Sequence, residues 1–277
     1  MNPLVKWAGG KRRLVKKIIP ILGDDFKHYY EPFLGGGSVL LELLPKHATG
    51  FDINEELINL YNIVKESPNE LIDEYFENFV AFHSHDFYYC VRNWDRDPEF
   101  FQIKSKITKA ARLLYLNKTC YNGLWRENSK GQFNVPLGKY KTPSFTTKEC
   151  ILEASQYFSN NDIIFERQDY KHIEEIAVER DLVYFDPPYD VEKNKNSFVS
   201  YSKSGFDSND QKELRDLCIR LIRRGVKVAI SNSGTDLIRN LYSDKIFSIH
   251  EMNIQYSVGG NKERREPKME LLITGNL

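Results

Sequence analysis

The sequence contains few cysteines and no long hydrophobic segment, and both absences narrow the class of protein. Its four cysteines, Cys90, Cys120, Cys150 and Cys218, form no CxxC pair. We therefore expect reduced thiols rather than a disulfide framework, and we predict no metal site. No apolar run approaches the roughly 18 residues needed to cross a membrane, and the first residues lack a signal-peptide core. These features predict a cytoplasmic protein without a membrane partner.

Two common nucleotide-binding motifs are also missing. The sequence has neither the GxxxxGK[ST] spacing of a P-loop nor the GxGxxG pattern of nicotinamide-binding proteins. It does contain a predicted strand at residues 28–32 that leads into Gly35, Gly36 and Gly37, followed by a helix that ends before Pro45. This strand–turn–helix unit is typical of a Rossmann-type fold, but it disfavours a nicotinamide cofactor.

The formal net charge is zero, yet the charges are unevenly distributed. Residues 49–100 carry 12 acidic and 3 basic side chains, whereas residues 104–148 carry 10 basic and 1 acidic. Residues 1–27 add 7 basic and 2 acidic side chains. A local basic excess of this size favours a nucleic-acid partner, and a solvated charged face is the alternative interpretation.

Residues 182–189, with the sequence LVYFDPPY, combine a buried strand with a stiff turn. Four apolar or aromatic residues in a row predict a short strand that is fully buried. Pro187 and Pro188 end the strand, because proline has no N–H for a ladder and restricts the residue before it. Asp186 is therefore predicted at the carboxyl end of a buried strand, where open α/β sheets bind ligands. The alternative is an ordinary turn that only ends the strand.

The side chains of this turn suit an exocyclic amine on a flat base. The carboxylate of Asp186 and the carbonyl of Pro187 are two neighbouring acceptors, which together suit an NH2 group. The ring of Tyr189 offers a face on which a base can stack. We therefore interpret Asp186, Pro187 and Tyr189 as the candidate catalytic group.

A second acid ends another predicted strand. Asp52 lies 17 residues after Gly35, a position from which a carboxylate can reach ribose hydroxyls. The alternative is that Asp52 caps the helix predicted to begin near Glu55.

The predicted elements change to helices after about residue 57, and the α/β pattern resumes at about residue 163. A helix that begins at Lys11 is predicted to stop before Pro20, and another is predicted over about residues 100–118. Residues 121–126 and 132–136 predict a β-hairpin that displays basic and aromatic side chains. Such a ribbon suits a nucleic-acid groove, and a merely solvated surface ribbon is the alternative. Residues 247–254 and 269–274 predict a closing antiparallel pair around a polar loop, 258–267.

Taken together, five motifs and Asp52 resemble those of the DNA adenine methyltransferases that methylate GATC in bacteria and phages. The motifs are KWAGGK at 6–11, FLGGGS at 33–38, NGLWR at 122–126, FNVP at 133–136 and DPPY at 186–189. The resemblance covers essentially the whole chain, and the order and spacing of the motifs make it specific. It implies an α/β fold in which a Rossmann-like class I methyltransferase sheet carries an inserted helical DNA-recognition domain with a β-hairpin. The implied catalytic domain comprises residues 1–56 and 163–277, and the implied target-recognition domain comprises residues 57–162.

The resemblance also implies the cofactor, the partners and the residues that contact them. It implies S-adenosylmethionine as the methyl donor and double-stranded DNA with a flipped-out adenine as the substrate. The residues implied at the cofactor are Trp7, Lys11, Phe33, Gly35, Gly37, Asp52, Asp169 and Asp186. The residues implied at the DNA are Lys6, Tyr121, Asn122, Leu124, Arg126, Asn134, Pro136, Lys139 and Tyr140. We further expect a monomer in a bacterial or phage-infected cell, acting separately from any cognate restriction endonuclease.

Competing classes differ at a few positions. A carbon-5 cytosine methyltransferase needs a nucleophilic cysteine after a proline, and none of the four cysteines follows one. An RNA or protein-glutamine methyltransferase would usually have Asn in place of Asp186, and a cytosine-amine methyltransferase Ser or Thr. A binding module without activity would not need both Asp186 and Tyr189. The same chemistry at another DNA sequence stays open.

Overall fold

The computed structural model describes residues 1–189, 206–253 and 269–277. Its strands are Tyr29–Glu31 (β1), His47–Asp52 (β2), Asp162–Arg167 (β3), Leu182–Phe185 (β4), Lys227–Ser233 (β5), Ser248–Asn253 (β6) and Met269–Gly275 (β7). They form one sheet in the order β3-β2-β1-β4-β5-β7-β6. Strands β1 to β5 run parallel, and β7 is antiparallel to both of its neighbours. This topology confirms the predicted Rossmann-like methyltransferase sheet and the closing antiparallel pair.

Helices connect and cover the strands. The α-helices of the described residues are Val15–Leu22 (α1), Leu40–Leu43 (α2), Glu55–Glu66 (α3), Pro68–Tyr75 (α4), His85–Arg92 (α5), Pro98–Gln102 (α6), Lys106–Thr119 (α7), Lys148–Asn160 (α8), Ile173–Ile176 (α9), Ser208–Arg223 (α10) and Asp236–Leu241 (α11). Helices α3 to α8 lie between β2 and β3 in the sequence, and residues 53–161 contribute no strand to the sheet. Within the described ranges, no helix has the length and apolar character required to span a bilayer.

Both faces of the central strands are buried. Successive residues alternate between two hydrophobic clusters, so that Tyr29 and Tyr184 belong to one cluster while Tyr30, Val183 and Phe185 belong to the other. Every residue of β4 is buried. A parallel strand covered on both faces needs apolar side chains at every position, which explains the continuous apolar run before Asp186.

The strand order reverses next to β1. Strands β2 and β3 lie on one side of β1, whereas β4 and β5 lie on the other. A crevice therefore opens beyond the carboxyl ends of β1 and β4, which is where ligands bind in sheets of this type. The DPPY turn directly follows β4, and the glycine turn at residues 35–37 begins four residues after the end of β1, so both lie at this edge.

Two predicted helix boundaries are wrong. Helix α1 continues through Pro20 and ends at Leu22. Pro20 has no N–H, so it cannot donate to the backbone carbonyl of Lys16, four residues earlier. The helix tolerates the loss because it concerns one hydrogen bond near its carboxyl end, at an exposed residue. The helix predicted over about residues 100–118 is split into α6 and α7. Ser105 begins α7 as its cap, with its hydroxyl accepting a hydrogen bond from the N–H of Thr108 at 3.0 Å.

A fully buried arginine joins several of the helical elements. The guanidinium of Arg112 on α7 lies 3.1 Å from Oε2 of Glu56 and 2.9 Å from Oδ2 of Asp95. It also donates to the carbonyl oxygens of Val91 and Arg92, each at 3.1 Å. Removing one partner of such a cluster leaves buried charge without compensation, and this is costly in a low-dielectric interior.

We predict that Arg112→Ala lowers the free energy of unfolding by about 3–5 kcal/mol, because Glu56 and Asp95 lose their shared cation. The matched control is Arg167→Ala, which removes the exposed ion pair with Glu55 at 2.7 Å. The control should change the free energy of unfolding by less than about 1 kcal/mol. Urea denaturation measures both variants, and equal losses would contradict the structural role of Arg112.

Candidate active site and DNA interface

The turn after β4 places a carboxylate beside a buried lysine. The two oxygens of Asp186 lie 2.6 Å and 2.8 Å from Nζ of Lys11. Lys11 is only 3% exposed and also donates to the carbonyl of Gly9 at 2.6 Å. Burial raises the pKa of Asp186 to about 6, the charge of Lys11 lowers it, and the charge of Glu270 raises it. The site therefore holds a carboxylate that changes its protonation close to neutral pH.

Glu270 of β7 holds the far end of the same turn. The hydroxyl of Tyr189 donates to Oε2 of Glu270 at 2.8 Å. Nζ of Lys11 lies 4.0 Å from that oxygen and 4.6 Å from the centroid of the Tyr189 ring. The sequence analysis missed Glu270. It reaches this edge because it pairs with Ser233 at the end of β5, and the register of that pairing could not be read from one sequence.

The glycine turn is closed by Asp52. Oδ2 of Asp52 accepts from the N–H of Gly35 at 3.0 Å, and Oδ1 accepts from the N–H of Asn54 at 2.9 Å. The cap of α3 is Asn54, whose side chain accepts from Leu57 at 3.0 Å. The helix-cap interpretation of Asp52 is therefore not realised. Burial raises the pKa of Asp52, and the backbone donors act in the opposite direction.

Two of the predicted glycines adopt backbone conformations that side chains disfavour. Gly35 and Gly37 have φ angles of +47° and +59°. A Cβ on Gly35 would lie 2.7 Å from Cδ1 of Trp7, and one on Gly37 would lie 3.0 Å from the hydroxyl of Tyr61. That hydroxyl also donates to the carbonyl of Gly35 at 3.0 Å. The turn is therefore held tightly between the amino-terminal segment and α3.

Glu31 is a buried carboxyl that the sequence analysis also missed. It ends β1, is 3% exposed, and accepts from the hydroxyl of Tyr29 at 2.9 Å and the N–H of Leu40 at 3.0 Å. Burial raises its pKa to about 8. An acid at the end of the predicted first strand, four residues before Gly35, was the available signal, because the residue ending β1 must lie at the crevice.

Phe33 and Asp169 both adjoin Tyr170. The ring of Phe33 stacks on Tyr170 with centroids 5.1 Å apart, and Phe206 meets Phe33 edge-on at 5.6 Å. Asp169 is exposed, and its carboxylate accepts from the N–H of Lys171 at 2.9 Å. Asp169 thus caps a short turn directly before Tyr170, beside the aromatic group that contains Phe33.

The amino-terminal segment connects this edge with the ribbon at residues 121–140. Trp7 packs against Gly35 and stacks on Trp125, with ring centroids 6.1 Å apart and planes at 17°. The amide of the buried Asn117 brackets the backbone of Lys6, accepting from its N–H at 2.8 Å and donating to its carbonyl at 2.7 Å. Asn117 also donates to the carbonyl of Gly123 at 3.3 Å. One side chain of α7 therefore fixes the positions of both segments.

The predicted hairpin is an antiparallel ribbon with two isolated bridges rather than two regular strands. The bridges join Cys120 to Leu137 and Glu127 to Phe133. Regular pairing is interrupted by a 3₁₀ turn at Tyr121–Gly123, within which Asn122 has a φ of 55°. Pro136 also lacks an N–H for a ladder. The predicted pairing is confirmed, and the predicted strand regularity is wrong.

Most of the residues predicted at the DNA lie on the surface of this ribbon. Lys6, Tyr121, Asn122, Arg126, Pro136, Lys139 and Tyr140 are exposed, and Leu124 and Asn134 are half-buried. Nε of Arg126 donates to Oδ1 of Asn134 at 2.7 Å, which orients the guanidinium. Nζ of Lys6 lies 5.3 Å from the centroid of the Tyr140 ring. The loop 258–267 lies outside the described residues.

Charged side chains from outside the ribbon hydrogen-bond to its backbone at Phe133. Oδ2 of Asp95 accepts from the N–H of Phe133 at 2.9 Å, and Arg96 donates to the Phe133 carbonyl at 2.5 Å. The ring of Phe133 is buried and lies 4.6 Å from that of Trp125. The sequence analysis did not single out Asp95, Arg96 or Arg112, because their partners are distant in the chain.

Comparison with known proteins identifies the class. A profile of the D12 class of N6 adenine-specific DNA methyltransferases matches residues 7–258. The chain is 39% identical to the type II methyltransferase M1.LlaDCHI of Lactococcus lactis subsp. cremoris, over 99% of this chain and 95% of that protein. It is 35% identical to M.MjaIII of Methanocaldococcus jannaschii, over 99% and 98%. It is 34% identical to the DNA adenine methylase of Escherichia coli K12, over 97% and 93%.

A Rossmann-like sheet with an acidic DPPY turn at its crevice, together with these matches, defines a DNA-modifying methyltransferase. The chain belongs to the D12 class of N6 adenine-specific DNA methyltransferases. The predicted enzyme class is therefore confirmed, and the cofactor of the class is S-adenosylmethionine. The crevice fits this donor chemically, because a half-buried carboxylate at Asp52 and a glycine turn with positive φ angles adjoin the Asp186 turn.

The raised pKa of Asp186 predicts an acidic limb in the pH profile of kcat/KM. We expect activity to fall as the pH drops through about 6, because a protonated carboxyl offers fewer hydrogen-bond acceptor sites than a carboxylate. Lys11→Met removes a cation that lowers this pKa, so the limb should move to higher pH. Glu270→Gln removes a charge that raises it, so the limb should move to lower pH while the amide oxygen can still accept from Tyr189. A limb that stays in place in both variants would assign it to another group.

Proposed function

We propose that this methyltransferase modifies the adenine of GATC in duplex DNA after that adenine has been flipped out of the helix. The observation that carries the proposal is the ionisable Asp186 carboxylate at the end of β4, paired with Lys11 and followed by the half-buried ring of Tyr189. A base inside a duplex cannot reach such a crevice, and extruding it costs a few kcal/mol.

In the proposed reaction, Asp186 and the carbonyl of Pro187 accept hydrogen bonds from the two N–H groups of the adenine amine. Tyr189 stacks on the ring, and the nitrogen lone pair is directed at the methyl carbon. S-adenosylmethionine supplies an activated sulfonium methyl group. The new N–C bond would form as the donor's C–S bond breaks with its electron pair left on sulfur, and the proton that the amine loses would pass to solvent water. The protein contributes position and electrostatics rather than a covalent step.

The proposed cofactor contacts surround the glycine turn. Asp52 accepts from the ribose hydroxyls, and Gly35 and Gly37 let the backbone approach the methionine part. The other proposed contacts are Trp7, Lys11, Phe33, Asp169 and Asp186. The support is their placement along one edge of the sheet, with Phe33 and Asp169 joined through Tyr170.

We propose that residues 57–162 form the DNA target-recognition domain, inserted in a catalytic domain of residues 1–56 and 163–277. Arg126 can make a bidentate contact with guanine, and Leu124 and Pro136 can pack on a thymine methyl group. Lys6 reads an adjacent base, Tyr121 and Asn122 fill or brace the space left by the flipped adenine, and Asn134 orients Arg126 at the DNA. Lys139, Tyr140 and Lys141 suit phosphates, which position the protein without specifying sequence. The support is their shared exposure on the ribbon and its basic charge.

We also propose that the enzyme acts as a cytoplasmic monomer, apart from any cognate restriction endonuclease. Two similar proteins are named type II methyltransferases, which supports the existence of a cognate endonuclease that acts separately.

The same chemistry at another DNA sequence is the alternative to methylation of GATC, because a few ribbon residues determine the site. Methylome sequencing of a methylation-free host that expresses the chain identifies both the base and the site. A modified base other than N6-methyladenine, or a site other than GATC, would contradict the corresponding part of the proposal.

The catalytic assignment predicts that Asp186→Ala reduces the methyl-transfer rate at least ~10²–10³-fold, the typical loss of one preorganised hydrogen-bonding group. The control is Asp162→Ala, which removes an exposed acid at the amino end of β3. Both variants are compared by single-turnover methylation and by thermal melting. A folded Asp186→Ala variant with near-normal turnover would contradict the role of this carboxylate.

The ribbon assignment predicts two different kinds of loss. Arg126→Ala should cost about 1–3 kcal/mol of discrimination at one base pair, because a bidentate contact is lost. Lys141→Ala should weaken binding to all sequences alike and flatten its salt dependence. Methylation rates on GATC and its single-base variants, together with binding at several salt concentrations, separate the two. If Arg126→Ala lowers all rates equally, Arg126 is a phosphate anchor.

A further inference from the structure

Two buried amide side chains lie behind the DPPY turn. Gln211 belongs to α10 and is 1% exposed, and Asn232 belongs to β5 and is fully buried. Nδ2 of Asn232 donates to Oε1 of Gln211 at 3.0 Å, and Nε2 of Gln211 donates to the carbonyl of Pro188 at 3.1 Å. Oδ1 of Asn232 accepts from the N–H of Ser233 at 2.8 Å. The amides thus form a continuous chain of hydrogen bonds from β5 to the turn.

The groups at the two ends of this series of hydrogen bonds determine how each amide is oriented. The N–H of Ser233 can only donate, so the atom of Asn232 that meets it must be the oxygen. The nitrogen of Asn232 then meets the oxygen of Gln211, and the nitrogen of Gln211 is left for the Pro188 carbonyl, which can only accept. Reversing either amide would place two donors or two acceptors in contact. This series of hydrogen bonds, which we call the Asn232–Gln211 relay, therefore has one arrangement in which every contact pairs a donor with an acceptor.

The turn needs an anchor of this kind because of its two prolines. Pro187 and Pro188 have no N–H groups, so the turn cannot be fixed by backbone donors at these positions. Among the described residues, its polar attachments are Lys11 at Asp186, Gln211 at Pro188 and Glu270 at Tyr189. Holding the Pro188 carbonyl on the α10 side restrains the preceding peptide, whose Pro187 carbonyl is the second proposed acceptor for the adenine amine.

We propose that Gln211 and Asn232 are positioning residues for methyl transfer, which act in series to aim the Pro187 carbonyl and the Asp186 carboxylate at the amine. This inference rests on the proposed roles of Asp186 and Pro187 at the target adenine. Transfer reactions of this kind depend steeply on geometry, and a misplacement of about 1 Å can cost on the order of 10² in rate. The relay therefore acts on the rate of transfer and not on the binding of DNA or cofactor.

The test compares Gln211→Met and Asn232→Asp with the full-length wild-type enzyme. Gln211→Met keeps the length of the side chain and removes both hydrogen bonds, whereas Asn232→Asp keeps the acceptor for Ser233 and removes the donor to Gln211. The measurements are the single-turnover rate of methyl transfer at saturating DNA and S-adenosylmethionine, and the dissociation constants of both. We expect rate losses of about 10- to 100-fold, with both dissociation constants within about twofold of wild type.

The matched control is Asn276→Ala. Nδ2 of Asn276 donates to the carbonyls of Ile222 and Val226 at 2.7 Å and 2.9 Å, which ties the opposite end of α10 to the sheet. Its loss should lower the melting temperature without a selective loss of transfer rate. Because the relay acts in series, the Gln211→Met/Asn232→Asp double variant should transfer no more slowly than the slower single variant. If Gln211→Met does not fold, the comparison of Asn232→Asp with the control is decisive.

The possible results distinguish a failure of the relay proposal from a failure of the proposed function. Wild-type enzyme that modifies no adenine in any duplex contradicts the proposed function itself, whatever the variants do. Active wild type with transfer rates in Gln211→Met and Asn232→Asp no lower than in Asn276→Ala contradicts the relay alone. A loss confined to DNA or cofactor affinity also contradicts it, because a positioning residue must change the transfer rate in the bound complex.

Discussion

The ion pair between Lys11 and Asp186 is the contact on which the arrangement of the active site depends. A carboxylate in a buried crevice is costly unless a cation and hydrogen bonds compensate it. Here the cation comes from 175 residues earlier in the chain and is itself nearly fully buried. Burial alone raises the pKa of Asp186, and the adjacent cation of Lys11 acts in the opposite direction. The amino-terminal segment must therefore dock on the completed sheet before the DPPY turn has its electrostatic partner.

The same amino-terminal segment also contacts the other parts of the site. Trp7, four residues before Lys11, packs against Gly35 and stacks on Trp125. The glycine turn, the DPPY turn and the ribbon thus share one short stretch as a common neighbour. The strand order brings the first two turns together, because β1 and β4 are adjacent and parallel. The stacked indoles extend this contact to the ribbon.

The sequence was most informative where one short stretch determines the structure. A continuous apolar run followed by two prolines was enough to predict β4 and the position of Asp186. Partners distant in sequence were missed, because a single chain does not reveal which strands or helices become neighbours. Glu270 depends on the register between β5 and β7, and Gln211 and Asn232 meet only after α10 packs on the sheet. Local rules also failed where context overrode them, as in the continuation of α1 through Pro20.

The amide of Asn117 has a consequence for building chimeric enzymes with altered target sites. It hydrogen-bonds to the backbone of both Lys6 and Gly123, so the amino-terminal segment and the base of the ribbon are fastened to one point on α7. An exchange confined to the ribbon keeps this anchor, because Asn117 contacts the carbonyl of Gly123 rather than a side chain. An exchange that also replaces α7 must keep an asparagine at position 117, because otherwise the ribbon loses its common attachment with the segment that carries Lys11.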